Sequence, residues 1–148
     1  MRGRPNRLLG IALFAVAGCE PCDETRLQIR DASDNPVWDG CVEIASTAAE
    51  RRQGLAGRPS LDEDAGMLLV FPITGEVCIS AEGMRFGLDV AFIDGEGRVL
   101  AVSPLPIGSP AICVGATRCV LEIGAGTGNL QRGDRVVLES GDAVCTSD

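Results

Sequence analysis

Residues 88–103, LDVAFIDGEGRVLAVS, decide the fold, because they have the pattern of two strands joined by a tight turn. Both halves are rich in apolar and β-branched residues, which favour strands. The four residues from Asp94 to Gly97 separate them and tolerate the backbone geometry of a turn. The stretch predicts a β-hairpin with strands at 88–93 and 98–103.

The same pattern extends outward in both directions. Short alternating or apolar runs recur, and they are broken by turn residues such as Asp34-Asn35-Pro36 and Arg132-Gly133-Asp134. The other predicted strands span 26–30, 41–45, 67–71, 77–80, 118–123 and 135–139. Eight short strands predict a mainly β fold, either a β-sandwich or a partly closed barrel, in one compact domain.

One short α-helix is predicted near residues 48–53. Thr47 is followed three residues later by Glu50, which matches a capping box, and Gly54 is placed to end the helix in a left-handed conformation. Two helical turns are not stable alone in water. We therefore expect Leu55 and its neighbours to pack the helix against a sheet.

The N-terminus resembles a bacterial lipoprotein signal. Arginines at positions 2, 4 and 7 precede an apolar run from Leu8 to Ala17, which is too short to cross a bilayer. The run ends at Val16-Ala17-Gly18-Cys19, which is similar to a lipobox. We predict a signal peptide at 1–18, a lipidated Cys19, a tether at 19–25 and one β domain at 26–148. An ordinary secretory signal is the alternative, and it also exports the chain.

This signal predicts a location in the bacterial cell envelope, on the periplasmic side and lipid-anchored. Glu20 follows Cys19 in place of the aspartate that retains some lipoproteins at the inner membrane, which favours the outer membrane. Cleavage would remove three of 13 basic residues, leaving 10 against 21 acidic ones and a formal charge of −11. So acidic a chain is not expected to bind nucleic acid.

The composition excludes many catalytic mechanisms. The chain has no histidine, tyrosine or lysine. It therefore cannot build a histidine relay, a lysine Schiff base, a histidine-ligated zinc site or a Walker-type phosphate loop. We predict no catalytic residue, metal or cofactor.

The seven cysteines indicate disulfides, because the chain is predicted to be exported. With Cys19 assigned to the lipid, six candidates remain, and six cysteines allow 15 pairings. Cys19 and Cys22 also have the spacing of a redox pair, but they lack the strand-to-helix context of that motif. The disulfide candidates are Cys22, Cys41, Cys78, Cys113, Cys119 and Cys145.

Arg58, Arg85 and Asp89 are the candidate ligand-binding residues, because each lies beside an apolar strand segment where an unpaired charge is costly. An internal ion pair or a hydrogen-bonded turn is the alternative explanation for them. Glu43 and Glu122 lie within strands at positions where alternation predicts exposed side chains. A facing acid/base pair is the alternative for these two glutamates.

Two other features have structural explanations that we favour over functional ones. The glycine-rich segment 124–129 lacks the lysine and the third glycine of nucleotide-binding loops, so we interpret it as a turn. Trp38, the only tryptophan, lies between a turn and Gly40, where a lone aromatic side chain covers a core.

Three stretches in this order resemble the domain of unknown function 192 family. The first comprises Val42–Ala45 and 66–71, with Thr47, Glu50, Arg51, Gly54, Leu55, Gly57 and Arg58 between them. The second comprises 83–86 and 88–94, with Gly97 and Val99. The third comprises 120–123 with Ala125, Gly126, Gly133 and Asp134. Together they cover about residues 41–138. The resemblance implies a jelly-roll-like β fold with one short helix and brings no established activity. Many relatives have Phe-Trp-Met-Lys-Asn where this chain has residues 79–83, and a proline in place of Gly87.

These observations favour a non-enzymatic envelope lipoprotein that binds a small solute or another envelope component. The alternatives are a small hydrolase or thiol-dependent enzyme, which would use carboxylates or a free cysteine, and a purely structural envelope protein.

Overall fold

The computed structural model describes Cys22, residues 24–141 and residues 144–146. The predicted signal peptide and Cys19 lie outside the described residues. The elements are β1 (Thr25–Arg30), β2 (Pro36–Ala45), α1 (Ala48–Gln53), β3 (Ala65–Ile79), β4 (Leu88–Ile93), β5 (Val99–Leu105), β6 (Ile112–Gly124) and β7 (Arg135–Leu138). Within this part of the chain, no helix is long and apolar enough to cross a membrane.

The strands form one curled seven-stranded sheet in the order β5-β4-β6-β3-β2-β1-β7. Its two ends approach each other, since Val136 N–H donates to the Gly97 carbonyl and an isolated bridge pairs Arg98 with Arg135. The sheet is thus a half-barrel. The predicted mainly β fold is confirmed, in its barrel-like rather than its two-sheet form.

The hairpin predicted from residues 88–103 is present as β4 and β5, which pair antiparallel from Leu88–Leu105 to Ile93–Val99. The Asp94 side chain stabilises its turn by accepting from the Glu96 and Arg98 backbone N–H groups. Gly97 has a φ of 80°, a conformation that favours glycine.

Helix α1 connects the one parallel strand pair, β2 and β3. Parallel neighbours need a crossover, and here the helix supplies it. The predicted capping box is present, with Glu50 N–H donating to Thr47 Oγ1 at 3.1 Å. Gly54 ends the helix with a positive φ of 48°, but its ψ of −135° lies outside the predicted left-handed region. Leu55 is buried as predicted.

The sheet is covered on both faces. The inner face encloses a core that includes Trp38, Leu68, Leu121 and Ile123. On the outer face, a second core around Leu55, Leu69, Val90 and Phe92 lies between the sheet, the segment that follows α1 and the curled arms of β3 and β6. The helix itself buries no side chain, so this face is covered by the C-terminal end of α1 and by Leu55 after it.

Four of the predicted strands were wrong in their bounds. Residues 67–71 and 77–80 belong to the single strand β3, whose register shifts between Val70 and Gly75 while pairing with β6 continues. β2 begins at Pro36 rather than at residue 41, and β6 begins at Ile112 rather than at residue 118. Proline and glycine in these segments were interpreted as breaks, but edge pairing and bulges accommodate them.

Gly40 shows why the core tolerates Trp38. A Cβ at position 40 would lie 2.7 Å from the Trp38 ring and 2.3 Å from the Asp64 carbonyl oxygen. Only glycine leaves room for the indole at this position, so Trp38 packs in the core as predicted.

The structure joins the six candidate cysteines in three disulfides: Cys22–Cys41, Cys78–Cys113 and Cys119–Cys145. The Cys119–Cys145 bridge is buried and ties the C-terminal segment to the inner core. The Cys78–Cys113 bridge is exposed and links directly paired positions of β3 and β6.

Candidate functional site beneath helix α1

Glu122 is a carboxylic acid buried in the middle of the sheet. It lies on β6 between Met67 of β3 and Val90 of β4, and its relative exposure is 5%. The prediction of an exposed side chain here was wrong. Alternation predicts exposure only for a sheet with one solvent-exposed face, and here Gly54 at the end of α1 and the segment after it cover the face that Glu122 occupies.

The Glu122 carboxyl is deprived of compensating contacts. Its Oε2 atom is sealed from solvent and has no hydrogen-bond partner among the described residues. A Cβ built on Gly54 would lie 3.5 Å from this oxygen, so the backbone at the end of α1 forms the roof over the acid. Burial raises the pKa of Glu122 to about 7, because desolvation penalises the charged form.

Glu122 lies in the wall of a pocket of about 490 Å³. This volume is within the range of small-molecule sites. The remaining lining residues come from α1, from the segment after it, and from β3 with the loop that follows: Arg51, Arg52, Gln53, Gly54, Leu55, Ala56, Leu69, Cys78, Ile79, Ser80, Glu82 and Met84. The walls thus combine aliphatic side chains with a few charged ones.

Two arginines of α1 have different roles at this pocket. Arg51 donates to the Ser46 and Val70 carbonyls and lies 5.0 Å above the Phe71 ring, so it is anchored. No hydrogen bond or ion pair joins exposed Arg52 to another described residue. Arg52 therefore has its guanidinium donors available.

The other side of the pocket is formed by residues 78–82. Exposed Glu82 contributes a negative charge, and Cys78 contributes the exposed disulfide to Cys113. Glu76 and these two sulfurs lie within 4.8 Å of one another, but the sulfurs are bonded to each other and present no thiolate. The segment that replaces the family's aromatic sequence at 79–83 therefore forms part of this wall.

The three candidate ligand-binding residues do not line this pocket. Arg58 forms a bidentate ion pair with Glu43, and this hydrogen bonding raises the pKa of Arg58. Asp89 accepts from the Gly126 backbone N–H at 2.8 Å and so fixes the turn after β6. Arg85 is exposed, and no hydrogen bond or ion pair among the described residues joins any two of the three.

The structure also bears on the alternative of a facing acid/base pair formed by Glu43 and Glu122. Glu43 and Glu122 both lie opposite Met67, so they share one face with a strand between them. Neighbouring strands are about 4.8 Å apart, which places the two backbones roughly 10 Å from each other. Glu43 binds Arg58 and is not in the pocket wall.

The glycine-rich segment 124–129 is a turn, as predicted. Thr127 donates its hydroxyl to the Gly124 carbonyl at 2.7 Å, and Gly126 has a φ of 76°. Asp89 binds the same turn, so its backbone N–H at Gly126 is already used.

Fold and site together define a class: a small half-barrel domain with a helix-roofed pocket and a buried acid. A model of the DUF192 family, described as Uncharacterized ACR, matches residues 28–138. The chain belongs to this family. The match begins 13 residues earlier than the resemblance at 41–138 and includes the second half of β1.

Two solved structures share the fold. One is a protein from Sinorhizobium meliloti 1021 that carries the provisional description of a transcription regulator, with 29% identity, a TM-score of 0.73, and coverage of 80% of this chain and 95% of that one. The other is a protein of unknown function from Novosphingobium aromaticivorans DSM 12444, with 24% identity, a TM-score of 0.68, and coverage of 76% and 83%. Among curated proteins no match to this chain was found.

Proposed function

We propose that this chain is an exported, lipid-anchored envelope protein that binds a small solute non-enzymatically in the pocket beneath α1. The single observation that carries the binding role is the buried Glu122 carboxyl in the pocket wall, whose Oε2 has no hydrogen-bond partner among the residues that the structure describes. A buried polar atom without a partner costs about 1–3 kcal/mol of stability. A ligand that displaces the cover at Gly54 and hydrogen-bonds to this sealed oxygen would recover part of that free energy.

The physical state of Glu122 sets what it offers a ligand. With a pKa of about 7, the acid is largely protonated in mildly acidic solution. A protonated carboxyl is both a donor and an acceptor, whereas an ionised one only accepts. Because aliphatic side chains surround it, a hydrogen bond formed there is shielded from competing water.

The proposed location is supported by the N-terminal sequence and by the cysteines. Residues 1–19 resemble a lipoprotein signal, and three disulfides suit an oxidising compartment. Cys22, bonded to Cys41, follows the proposed lipidated cysteine by three residues. The folded domain would then lie close to the membrane surface.

A transcription-regulator role, as described provisionally for the Sinorhizobium relative, is disfavoured for this chain. With 21 acidic and 13 basic residues it lacks the positive excess that DNA binding requires.

The binding role is tested by a small-molecule panel of carboxylates, alcohols, amines and monosaccharides, screened by ¹H–¹⁵N NMR on the purified protein. We expect some members to shift the amides of Leu55, Ala56 and Glu82 in the wild type and not in Glu122→Leu. Glu63→Gln, a change in an exposed loop, is the control and is expected to bind as the wild type does. A panel that leaves the pocket amides unshifted would contradict the binding role.

The location has a separate test, the intact mass of the protein purified from membranes of a bacterial host. We expect a diacylglycerol-modified chain that begins at Cys19, and an unmodified chain from Cys19→Ala. Six cysteines should resist alkylation until reduction. A lipid-free chain with alkylated cysteines would contradict both the anchor and the export.

A second candidate function, acid–base hydrolysis, is favoured by one observation: Glu82 lines the same pocket as Glu122. A raised pKa fits Glu122 as a general acid, and the Glu82 carboxyl would then serve as the base. This function predicts turnover of a bound substrate that both Glu82→Gln and Glu122→Gln abolish. Binding without turnover, retained in Glu82→Gln, favours the non-enzymatic role.

A further inference from the structure

We propose that the solute bound beneath α1 is a small carboxylate with an aliphatic body, held by the buried Glu122 carboxyl and by the exposed Arg52, which both line the pocket. This proposal deepens the proposed function and rests on it. It follows from how donors, acceptors and charges are distributed around the pocket.

The charge at the mouth selects for an anion. Arg51 and Arg52 contribute two positive charges to the pocket lining and Glu82 contributes one negative charge, so the lining carries a net charge of +1 while Glu122 is neutral. Of the two arginines only Arg52 is without a hydrogen bond or ion pair to the described residues, and a guanidinium fits a carboxylate through two parallel hydrogen bonds. A single negative charge on the solute matches this balance, and a dianion would meet repulsion from Glu82.

The interior selects for an aliphatic body and an acceptor oxygen. Leu55, Ala56, Leu69, Ile79 and Met84 supply apolar walls, and among the described residues no aromatic ring lines the pocket for a sugar to stack on. The Glu122 carboxyl, whose Oε2 has no partner in the described part of the chain, supplies a donor when protonated. Bonds from a neutral acid to an ionised oxygen are among the stronger hydrogen bonds.

The other charged groups around Glu122 do not change the preference of the pocket for an anionic ligand. β2 contributes Glu43, which is paired with Arg58. Next to Glu122, β3 and β4 present Met67 and Val90, which do not titrate. Asp89 of β4 lies opposite Ile123 rather than Glu122 and binds Gly126. Cys78 is in a disulfide.

A bound carboxylate needs the proton on Glu122, because two negative carboxyl groups in contact repel each other. Binding therefore takes up a proton where Glu122 is ionised in the free protein. With a pKa of about 7, the affinity is expected to be about tenfold weaker at pH 8 than at pH 6. An ammonium ligand would show the opposite trend, since it pairs with ionised Glu122.

The test uses three probes that differ only in their end group: pentanoate, pentan-1-ol and pentan-1-amine. Each is titrated into the purified protein at pH 6 and pH 8, and the amides of Leu55, Ala56 and Glu82 are followed by NMR. We expect pentanoate to bind most tightly and to lose about tenfold in affinity at pH 8. Preferred binding of the amine, tighter at pH 8, would overturn the ligand class while leaving the pocket as a binding site.

Variants separate the role of Glu122 from a general effect on the fold. In Glu122→Gln the amide replaces the acid as donor, so pentanoate binding should persist and lose its pH dependence. Glu122→Leu should weaken it at least tenfold, and Arg52→Gln several-fold at both pH values. If none of the three probes shifts the pocket amides, the carboxylate assignment is wrong, and the wider panel decides whether the pocket binds anything.

Discussion

Burial of the Glu122 carboxyl couples its protonation to the folding of the chain. The pKa is about 7 in the folded protein against an ordinary 4.5, so the folded state binds more protons than the unfolded state between these values. Stability therefore falls as the pH rises from 4.5 to 7, and the penalty is fully present above 7. This penalty in the free energy of unfolding is about 3 kcal/mol, because a pKa difference of one corresponds to about 1.36 kcal/mol.

Replacing Glu122 by glutamine should remove this pH dependence, because an amide cannot ionise. We compare the free energy of unfolding of Glu122→Gln with that of the wild type. This difference should shift in favour of the variant by up to about 3 kcal/mol between pH 4.5 and pH 8. Urea unfolding at pH 4.5, 6 and 8 measures this directly. Glu63→Gln serves as the control and should keep the wild-type slope. Parallel stability profiles for wild type and Glu122→Gln would show that Glu122 is not desolvated.

The sequence pattern correctly predicted that Glu122 lies on a strand, but the prediction that its side chain is exposed was wrong. Its neighbours Val120, Leu121 and Ile123 form a continuous apolar run, and such runs indicate strands covered on both faces. This apolar run is visible in the sequence, but the prediction of an exposed Glu122 relied on the alternation of apolar and polar residues instead. Arg58 was correctly expected to need a partner, but its partner Glu43 lies 15 positions away and on another element, which local pattern does not show.

Among the secondary-structure elements, helix α1 could be predicted from the sequence, but the position of its C-terminal end over Glu122 could not. The capping box and Gly54 define its ends locally, within eight residues of sequence. Its position over Glu122 depends on the parallel pairing of β2 with β3, which is a long-range contact. The same limit explains the strand errors, since β3 continues through Pro72 and Gly75 only because β6 pairs along its length.

Removal of the helix cap should loosen the roof over the pocket. Thr47→Ala deletes the oxygen that accepts the Glu50 N–H, and such losses cost about 1 kcal/mol. Thr47→Ser keeps that oxygen and should stay within a few tenths of a kcal/mol of the wild type. Urea midpoints compare the three proteins. Equal destabilisation by alanine and serine would mean that the methyl group, not the cap, matters here.

At the scale of the whole molecule, three disulfides brace a domain that is otherwise held by two apolar cores. They close segments of 19, 35 and 26 residues. Crosslinks over such lengths each contribute about 3–4 kcal/mol in the chain-entropy account. Composition and the signal indicated disulfides, but the pairing follows from the strand order, which the sequence pattern does not specify.

Their different exposure predicts an order of reduction. Cys78–Cys113 lies on the surface, whereas Cys119 and Cys145 are 0% and 3% exposed. A thiol reductant must reach the sulfur that it attacks, so Cys78–Cys113 should open first and Cys119–Cys145 last in the folded protein. Timed alkylation during mild reduction, followed by peptide mass mapping, gives the order. Simultaneous opening of all three would instead indicate global unfolding before reduction.

The proposed chemistry of the pocket requires Glu122 to be protonated up to about pH 7, and the titration of this carboxyl is the first measurement to make. The side-chain carboxyl carbon of Glu122 is assigned by NMR, with Glu122→Gln to identify its signal, and followed from pH 3 to pH 9. We expect a titration midpoint of about 7 in the free protein. A midpoint near the ordinary 4.5 would show a solvated, ionised carboxylate and would contradict both the pocket's proposed chemistry and the pH dependence derived from it.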